Sequence, residues 1–279
     1  SRIAIIRMNN KPVNALSMEM CKELSNAIKT VNEQQSTSDD AAVAPFSSIV
    51  ISSSIPTIFS AGIDIKKELY QPNPKRLSEF WFSFQQLFLD IYGLPVTTIS
   101  AVNGHAPAGG CMLSLACDYR IMRNNPRSRI GYNESKLGMT APSWMSQQYI
   151  DAIGSHHKAE LALLLGTLFT PHDALQIGLI DQLVDDDEVA NAAATADNGG
   201  HDMNMNIVEM VAIQKAIEFN KIPLIARNNI KKLTRQPLLD QLNNNRQEDS
   251  DTFCHLVTSS KVQNFIEKYL NSLAQKSKK

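Results

Sequence analysis

Apolar positions along the first two thirds of the chain alternate between a period of two and a period near 3.6. Residues 3–7 read as a short strand, ended by a turn over 9–12 in which Pro12 blocks further pairing. Ser17 then offers a helix N-cap, and Met20, Leu24 and Ile28 form one apolar stripe behind it. A polar, small-residue loop over 34–45 separates that helix from a β-branched strand at 49–52. Residues 55–59 lead into Ser60-Ala61-Gly62. An aromatic-rich helix follows over 77–92, then a strand over 94–101. Next come a Gly-rich turn at 103–110, an apolar helix over 111–117, a strand over 119–123 and a possible short one at 129–131.

Beyond Ser143 the period is mostly helical, with helices expected over 144–153, 158–165 and 171–177, and a strand-like run at 180–184. Residues 185–206 are acidic, then Ala/Asn-rich, and contain Gly199-Gly200; this composition predicts a mobile surface insertion. Three more helical stretches are expected over 207–221, 224–234 and 240–270. Alternating strands and helices followed by helices alone predict an α/β core over 1–184 and a helical region over 207–279.

Composition narrows the function classes. At 279 residues and 43% hydrophobic, the chain can bury a full core. A net charge of −1 argues against an electrostatic nucleic-acid binder. Two local basic clusters, Lys66-Lys67 and Lys231-Lys232-Arg235, read either as solvated helix faces or as contacts to a polyanion such as a nucleotide. Cys21, Cys111, Cys117 and Cys254 lack the spacing of a zinc site or a disulfide framework, so buried free thiols in a reducing compartment are expected. No run of eighteen apolar residues predicts a membrane-spanning helix. The start at Ser1, without Met, reads as a processed or truncated end.

Three segments carry candidate chemistry. In Phe59-Ser60-Ala61-Gly62-Ile63-Asp64-Ile65, small residues after a strand admit close backbone approach, and a following helix start would aim free N–H groups into a pocket. A plain tight turn, with Asp64 as its holding charge, is the competing reading. In Asn103-Gly104-His105-Ala106-Pro107-Ala108-Gly109-Gly110-Cys111 the glycine spacing fits neither a dinucleotide fingerprint nor a phosphate-binding loop. That turn reads as close helix–strand packing or as an anion-binding N-terminus. In Ile130-Gly131-Tyr132-Asn133-Glu134-Ser135-Lys136-Leu137-Gly138 a lone carboxylate, Glu134, sits among turn formers, where a solvated surface charge is the ordinary expectation.

Taken together with Pro12-Val13-Asn14-Ala15-Leu16, and in this order, these segments resemble the crotonase (enoyl-CoA hydratase/isomerase) superfamily over about two thirds of the chain. Pro107 to Cys111, Cys117 to Ile121, Asn133-Glu134, Leu137-Gly138 and Ala141-Pro142 are most similar to its Δ3,Δ2-enoyl-CoA isomerase branch. The resemblance implies an α/β spiral of ββα repeats, a helical C-terminal trimerisation region and a homotrimer. It implies an acyl-CoA thioester as substrate, with no cofactor beyond the CoA that the substrate itself carries. The backbone N–H groups of Ile63 and Gly109 would form an oxyanion hole. Ala61, Gly62, Ile63, Asp64 and Ile65 would line the CoA path, with Gly109, Met112 and Asn133 also against the substrate.

Hydratases of this family carry two catalytic glutamates; here Met112 stands at the first position and Glu134 at the second. Adding water calls for two groups, whereas moving a double bond needs one that takes a proton from C2 and returns it to C4. Met112 is expected to supply an apolar wall. The implied reaction is conversion of 3-enoyl-CoA to trans-2-enoyl-CoA in β-oxidation, in the mitochondrial matrix or alternatively the peroxisome. The C-terminal Lys276-Ser277-Lys278-Lys279 is not a Ser-Lys-Leu ending. Alternatives are a hydratase, a hydrolase or decarboxylase on the same scaffold, or a non-catalytic acyl-CoA-binding protein. His105 is expected to be structural or ligand-lining. His156-His157 lacks partners at metal-ligand spacing, and Ser60 lacks a hydrolase nucleophile's G-x-S-x-G setting.

Overall fold

The computed structural model describes residues 2–36, 46–185 and 206–276. The expected insertion at 185–206 falls, apart from its two end residues, outside them. Strand β1 (Arg2–Met8) leads through helix α1 (Met18–Ser36) to β2 (Phe46–Ser53). A single π-helical turn (Ile65–Leu69) and helix α2 (Pro74–Tyr92) then precede β3 (Thr97–Val102) and β4 (Ala106–Pro107). Helix α3 (Gly109–Ala116) returns the chain to β5 (Tyr119–Arg123) and β6 (Ile130–Gly131). After a 3₁₀ turn (Glu134–Leu137) come α4 (Ser143–Ile153), α5 (His156–Leu165), α6 (Pro171–Gln176) and β7 (Gln182–Val184). Helices α7 (Ile207–Phe219), α8 (Leu224–Thr258) and α9 (Ser260–Lys276) end the described chain.

All pairings between these strands are parallel, in a sheet of order β1-β2-β3-β5-β7 and a smaller one of β4-β6. Successive turns thus place β3 then β4, and β5 then β6, one strand in each sheet. Isolated bridges Leu16↔Ile63 and Ile58↔His105 continue the same winding. The larger sheet is buried on both faces, as parallel sheets require. One face meets α1, α2 and α3 in the main core; on the other, Val50, Ile99 and Ile121 pack on Val208, Ala212 and Ala216 of α7.

Polar anchors fix the outer helices. The fully buried Glu209 of α7 accepts from Arg7 at 2.6 Å and from Ser52 at 2.7 Å, tying α7 to β1 and β2. The two basic clusters differ: Lys66 and Lys67 lie on an exposed face, whereas Lys231 and Arg235 are anchored. Lys231 donates to Asp118 at 3.0 Å and to Val96 O at 2.8 Å, and Arg235 pairs with Asp118 at 2.6 Å. Burial pulls Lys231 down to about 8, against Asp118, which holds it up. Lys67 pairs with Glu19 at 2.9 Å.

The expected break between helices at 235–239 is absent: α8 runs through Pro237, kinks at Asn245 and ends at Thr258. Burial of Leu238 and Leu242 and the Lys231 and Arg235 anchors hold α8 on the core across the proline.

Asp118→Ala leaves Lys231 and Arg235 unpaired, with the Lys231 side chain only 12% exposed. The expected loss in a urea titration is about 3–5 kcal/mol. A loss within about 1 kcal/mol would class these as ordinary surface bridges.

Candidate active site

Small residues bring two turns together where a side chain would not fit. Gly62 has φ +82, and a Cβ there would sit 2.9 Å from Pro107 O and 3.1 Å from Gly109 N. A Cβ on Gly109 would meet Leu16 Cδ1 at 2.9 Å and Gly62 Cα at 3.4 Å, and one on Gly110 would collide with Ser60 O. Leu16 N–H donates to Gly62 O at 2.8 Å and Asp64 N–H donates to Leu16 O at 3.1 Å. In extended backbone alternate residues turn to opposite sides, so the Ile63 N–H faces away from Leu16.

Across from it, Gly109 opens α3, whose N-terminus has no side-chain cap. Neither the Ile63 nor the Gly109 N–H donates to another group among the described residues. Ala108 enters this helix at φ 50, ψ −118, a conformation costing a non-glycine residue about 1–3 kcal/mol. It is held by Ala108 N–H on Gly131 O at 2.8 Å and by Met112 N–H on Ala108 O at 3.0 Å. Strain held from both sides, beside two unpaired donors, marks a preorganised site.

Glu134 comes from the turn after β6. It lies with Ala61, Ile63, Ala108, Asn133 and Met139 around a cavity of about 60 Å³. The residue is half-buried, yet its Oε2 is fully buried and has no hydrogen-bond partner among the described residues. Burial pushes its carboxyl up to about 7, against the pull of the Glu134 and Asn133 N–H groups. The carboxyl is therefore poised near neutrality. No second carboxylate lines this cavity among the described residues.

Other expected site residues fall elsewhere. Gly62 contributes through packing alone, whereas Gly109 combines close packing with an N–H that donates to no other group among the described residues. Asp64 accepts from Lys67 N–H at 3.0 Å, closing the π-helical turn, and lines a separate groove of about 740 Å³ with Lys11 and Lys67. Met112 does not form the apolar wall: it is fully buried in the main core, and Ile63, Ile65, Leu69, Leu137 and Met139 line the cavity instead. His105 is half-buried, and its backbone pins the turn to Thr57, Phe59 and Ser60. Ser60 donates to Asn14 O at 2.8 Å and accepts from Gly62 N–H at 3.2 Å.

The enoyl-CoA hydratase/isomerase family pattern matches residues 1–277. The chain belongs to this family. Mouse mitochondrial enoyl-CoA delta isomerase 1 is 34% identical over 274 residues, covering 98% of this chain and 84% of the mouse protein. The human protein of the same name is 33% identical over 273 residues, covering 98% and 80%. The crystal structure of human mitochondrial delta3-delta2-enoyl-CoA isomerase superposes with a TM-score of 0.85 at 32% identity, covering 98% of this chain and 95% of that one. The fold is the α/β crotonase fold, and the protein is a crotonase-family acyl-CoA enzyme.

Two residues of this crotonase-fold site had no assigned role in the sequence. Asn14, fully buried at φ 49, donates to Ser53 at 2.8 Å and to Phe59 O at 3.0 Å and accepts from Asn10 N–H at 2.7 Å. It holds the strand that ends at the first turn. Tyr269 of α9 lines the cavity. No local signal marks it, because only docking of the last helix brings it there.

The Glu134 shift also bears on stability. A carboxyl raised from 4.5 to about 7 favours folding while protonated, and that contribution is lost as pH rises through about 7. Glu134→Gln does not titrate. It is expected to gain on the parent between pH 5 and pH 8, by on the order of 2–3 kcal/mol. Denaturation at the two pH values checks this; a constant difference would mean that Glu134 is solvated.

Proposed function

We propose that this enzyme is a Δ3,Δ2-enoyl-CoA isomerase with Glu134 as its single acid/base. The observation that carries the reading is one raised carboxyl on a cavity also lined by Ile63 and Ala108, beside turns whose Ile63 and Gly109 N–H groups donate to nothing else among the described residues. The full-length similarity to proteins named as isomerases supports it.

The substrate thioester oxygen accepts from the Ile63 and Gly109 N–H groups. Ionised Glu134 takes a proton from C2, the electron pair moves through the carbonyl, and a dienolate forms with its charge on that oxygen. The two donors and the α3 N-terminus stabilise this charge; losing one such donor costs about 2.7–4 kcal/mol in comparable sites. Neutral Glu134 then protonates C4, leaving the double bond conjugated to the thioester. A single carboxyl completes the cycle and returns to its starting state. Apolar walls limit water near the dienolate.

The groove that carries Lys11 and Lys67 also carries Glu19, Glu23 and Asp64, with Lys67 paired to Glu19, so it offers no net positive charge to the phosphates of CoA. A second cavity of about 290 Å³, sharing Glu134 and Met139 and lined by Ala141, Ile150 and Leu163, suits the acyl tail. Glu134→Gln is expected to lower kcat on trans-3-hexenoyl-CoA by at least about 10³-fold, with the Kd for hexanoyl-CoA within a few-fold of the parent. In the parent, kcat/KM should fall as pH drops through about 7, because the base must be ionised. Crotonyl-CoA hydration dominating over isomerisation would overturn the reading.

Exposed Leu161, Leu164 and Leu165 on α5, and Ile225 and Leu233 on α8, fit an interface between copies, which we assign to a homotrimer; the word mitochondrial in the relatives' names supports placing it in the mitochondrial matrix. Sedimentation should give three times the 30.9 kDa chain mass. A single-chain mass would remove the assembly.

A further inference from the structure

Behind Glu134 lies a set of side chains that the proton transfer does not use. Tyr132, just after β6, and Tyr149, on α4, are 1% and 0% exposed. Their rings stack at 4.8 Å between centroids with 26° between planes. Cys111, fully buried in the first turn of α3, belongs to the same group. Burial first, and then neighbouring groups that include Glu134, pushes both phenols and the thiol upward, so all three stay protonated near neutral pH. Tyr132 precedes Glu134 by two residues, so the stacked pair is tied to the turn that carries the carboxyl.

Among the buried side-chain atoms with no hydrogen-bond partner among the described residues are Tyr132 Oη, Tyr149 Oη and Glu134 Oε2, with Ser135 Oγ and the Gln148 amide next to them in the chain. The two phenols are protonated and able to donate; the Glu134 atom is a carboxylate oxygen, able to accept. Unpaired buried polar atoms are costly and rare, and several in one polar patch are characteristically joined by an internal water. Oε1 is not among the unpartnered buried atoms. A carboxylate held by one oxygen can present the other to substrate.

We propose that Tyr132 and Tyr149 are positioning residues for Glu134, their hydroxyls donating through a bridging water to Oε2 so that Oε1 is turned to the cleft. The proposal rests on the reading of Glu134 as the acid/base. Other titratable groups facing the carboxyl are Cys111 on α3, His156 and Glu160 of α5 across the outer cavity, and Tyr269 of α9 across the inner one. All of them remain in the variants below, so differences between variants report the phenols alone.

The test is an infrared titration of the Glu134 carboxyl, its C=O band assigned by loss in Glu134→Gln. It is run on the parent, Tyr132→Phe and Tyr149→Phe, with Tm measured beside it. It needs no turnover, so absence of isomerisation would sink the functional reading while leaving this result legible. Removing a donor to the charged form disfavours that form. The midpoint should therefore rise by about half to one pH unit in each variant. Tm should fall, and the acid limb of kcat/KM should move up with the midpoint, so that activity lost at pH 7 returns at pH 9. An unmoved midpoint overturns the proposal, whether Tm falls, as for a purely packing role, or rises, as when Phe removes an unpaired hydroxyl. Both variants keep the stacked ring; should one fail to fold, the midpoint of the other decides.

Discussion

The site depends on a contact between two stretches of backbone that leaves no space for a side chain. Gly62 lies so close to Pro107, Ala108 and Gly109 that a β-carbon on it would force the turns apart, and Gly110 is under the same constraint from Ser60. Each turn supplies one N–H that donates to no other group among the described residues, and this approach brings the two turns side by side. The surrounding polar contacts hold the approach in place. Leu16 brackets Ile63 with two backbone bonds, Ser60 joins Gly62 to Asn14, and Gly131 O holds the Ala108 N–H. A pair of N–H groups fixed by packing needs no reorganisation when charge develops, which is where such sites gain their advantage over water.

The same scaffold sets the state of Glu134. Its turn is packed on the end of α5, where a Cβ on Gly166 would meet Ser135 Oγ at 2.7 Å, and Gly138 lies against Phe265 of α9. These contacts take the carboxyl out of water without giving it a cation, and among the described residues no salt bridge reaches it. Desolvation without a counter-charge raises a carboxyl, whereas a nearby Lys or Arg would have lowered it. The molecule uses ion pairs elsewhere, at Asp118, Glu68 and Glu209, and there they fasten elements to one another.

Much of this was legible in the chain because the information is local. Strand–turn–helix patterns at Ser60 to Ile65 and Gly104 to Cys111 identify positions where backbone must come close, and the structure places both there. The α/β alternation is readable at β1, β2 and β3 because each carries several β-branched residues of its own. Features set by distant contacts were not legible. Lys231 and Arg235 look like a surface charge run until Asp118 is brought under them. Pro237 reads as a break because local rules cannot weigh the burial of Leu238 and Leu242. Met112 is apolar as read, but which way a helical residue faces depends on what packs against α3, and here that is the core.

Tyr269 and its helix carry the argument furthest from local sequence. Gln263 of α9 donates to Leu69 O at 2.9 Å and accepts from Gln71 N–H at 2.9 Å, docking the helix on the π-helical turn that follows Ile63 and Asp64. Val262 and Ile266 bury beneath it, and Tyr269 then closes one side of the cavity that Glu134 lines. The donors belong to the first half of the chain, but the dryness that tunes the carboxyl is completed by its last helix. Without that helix the cavity would open to water, and Glu134 would lie nearer its ordinary range. One helix therefore both packs on the turn beside Ile63 and closes the cavity at Glu134.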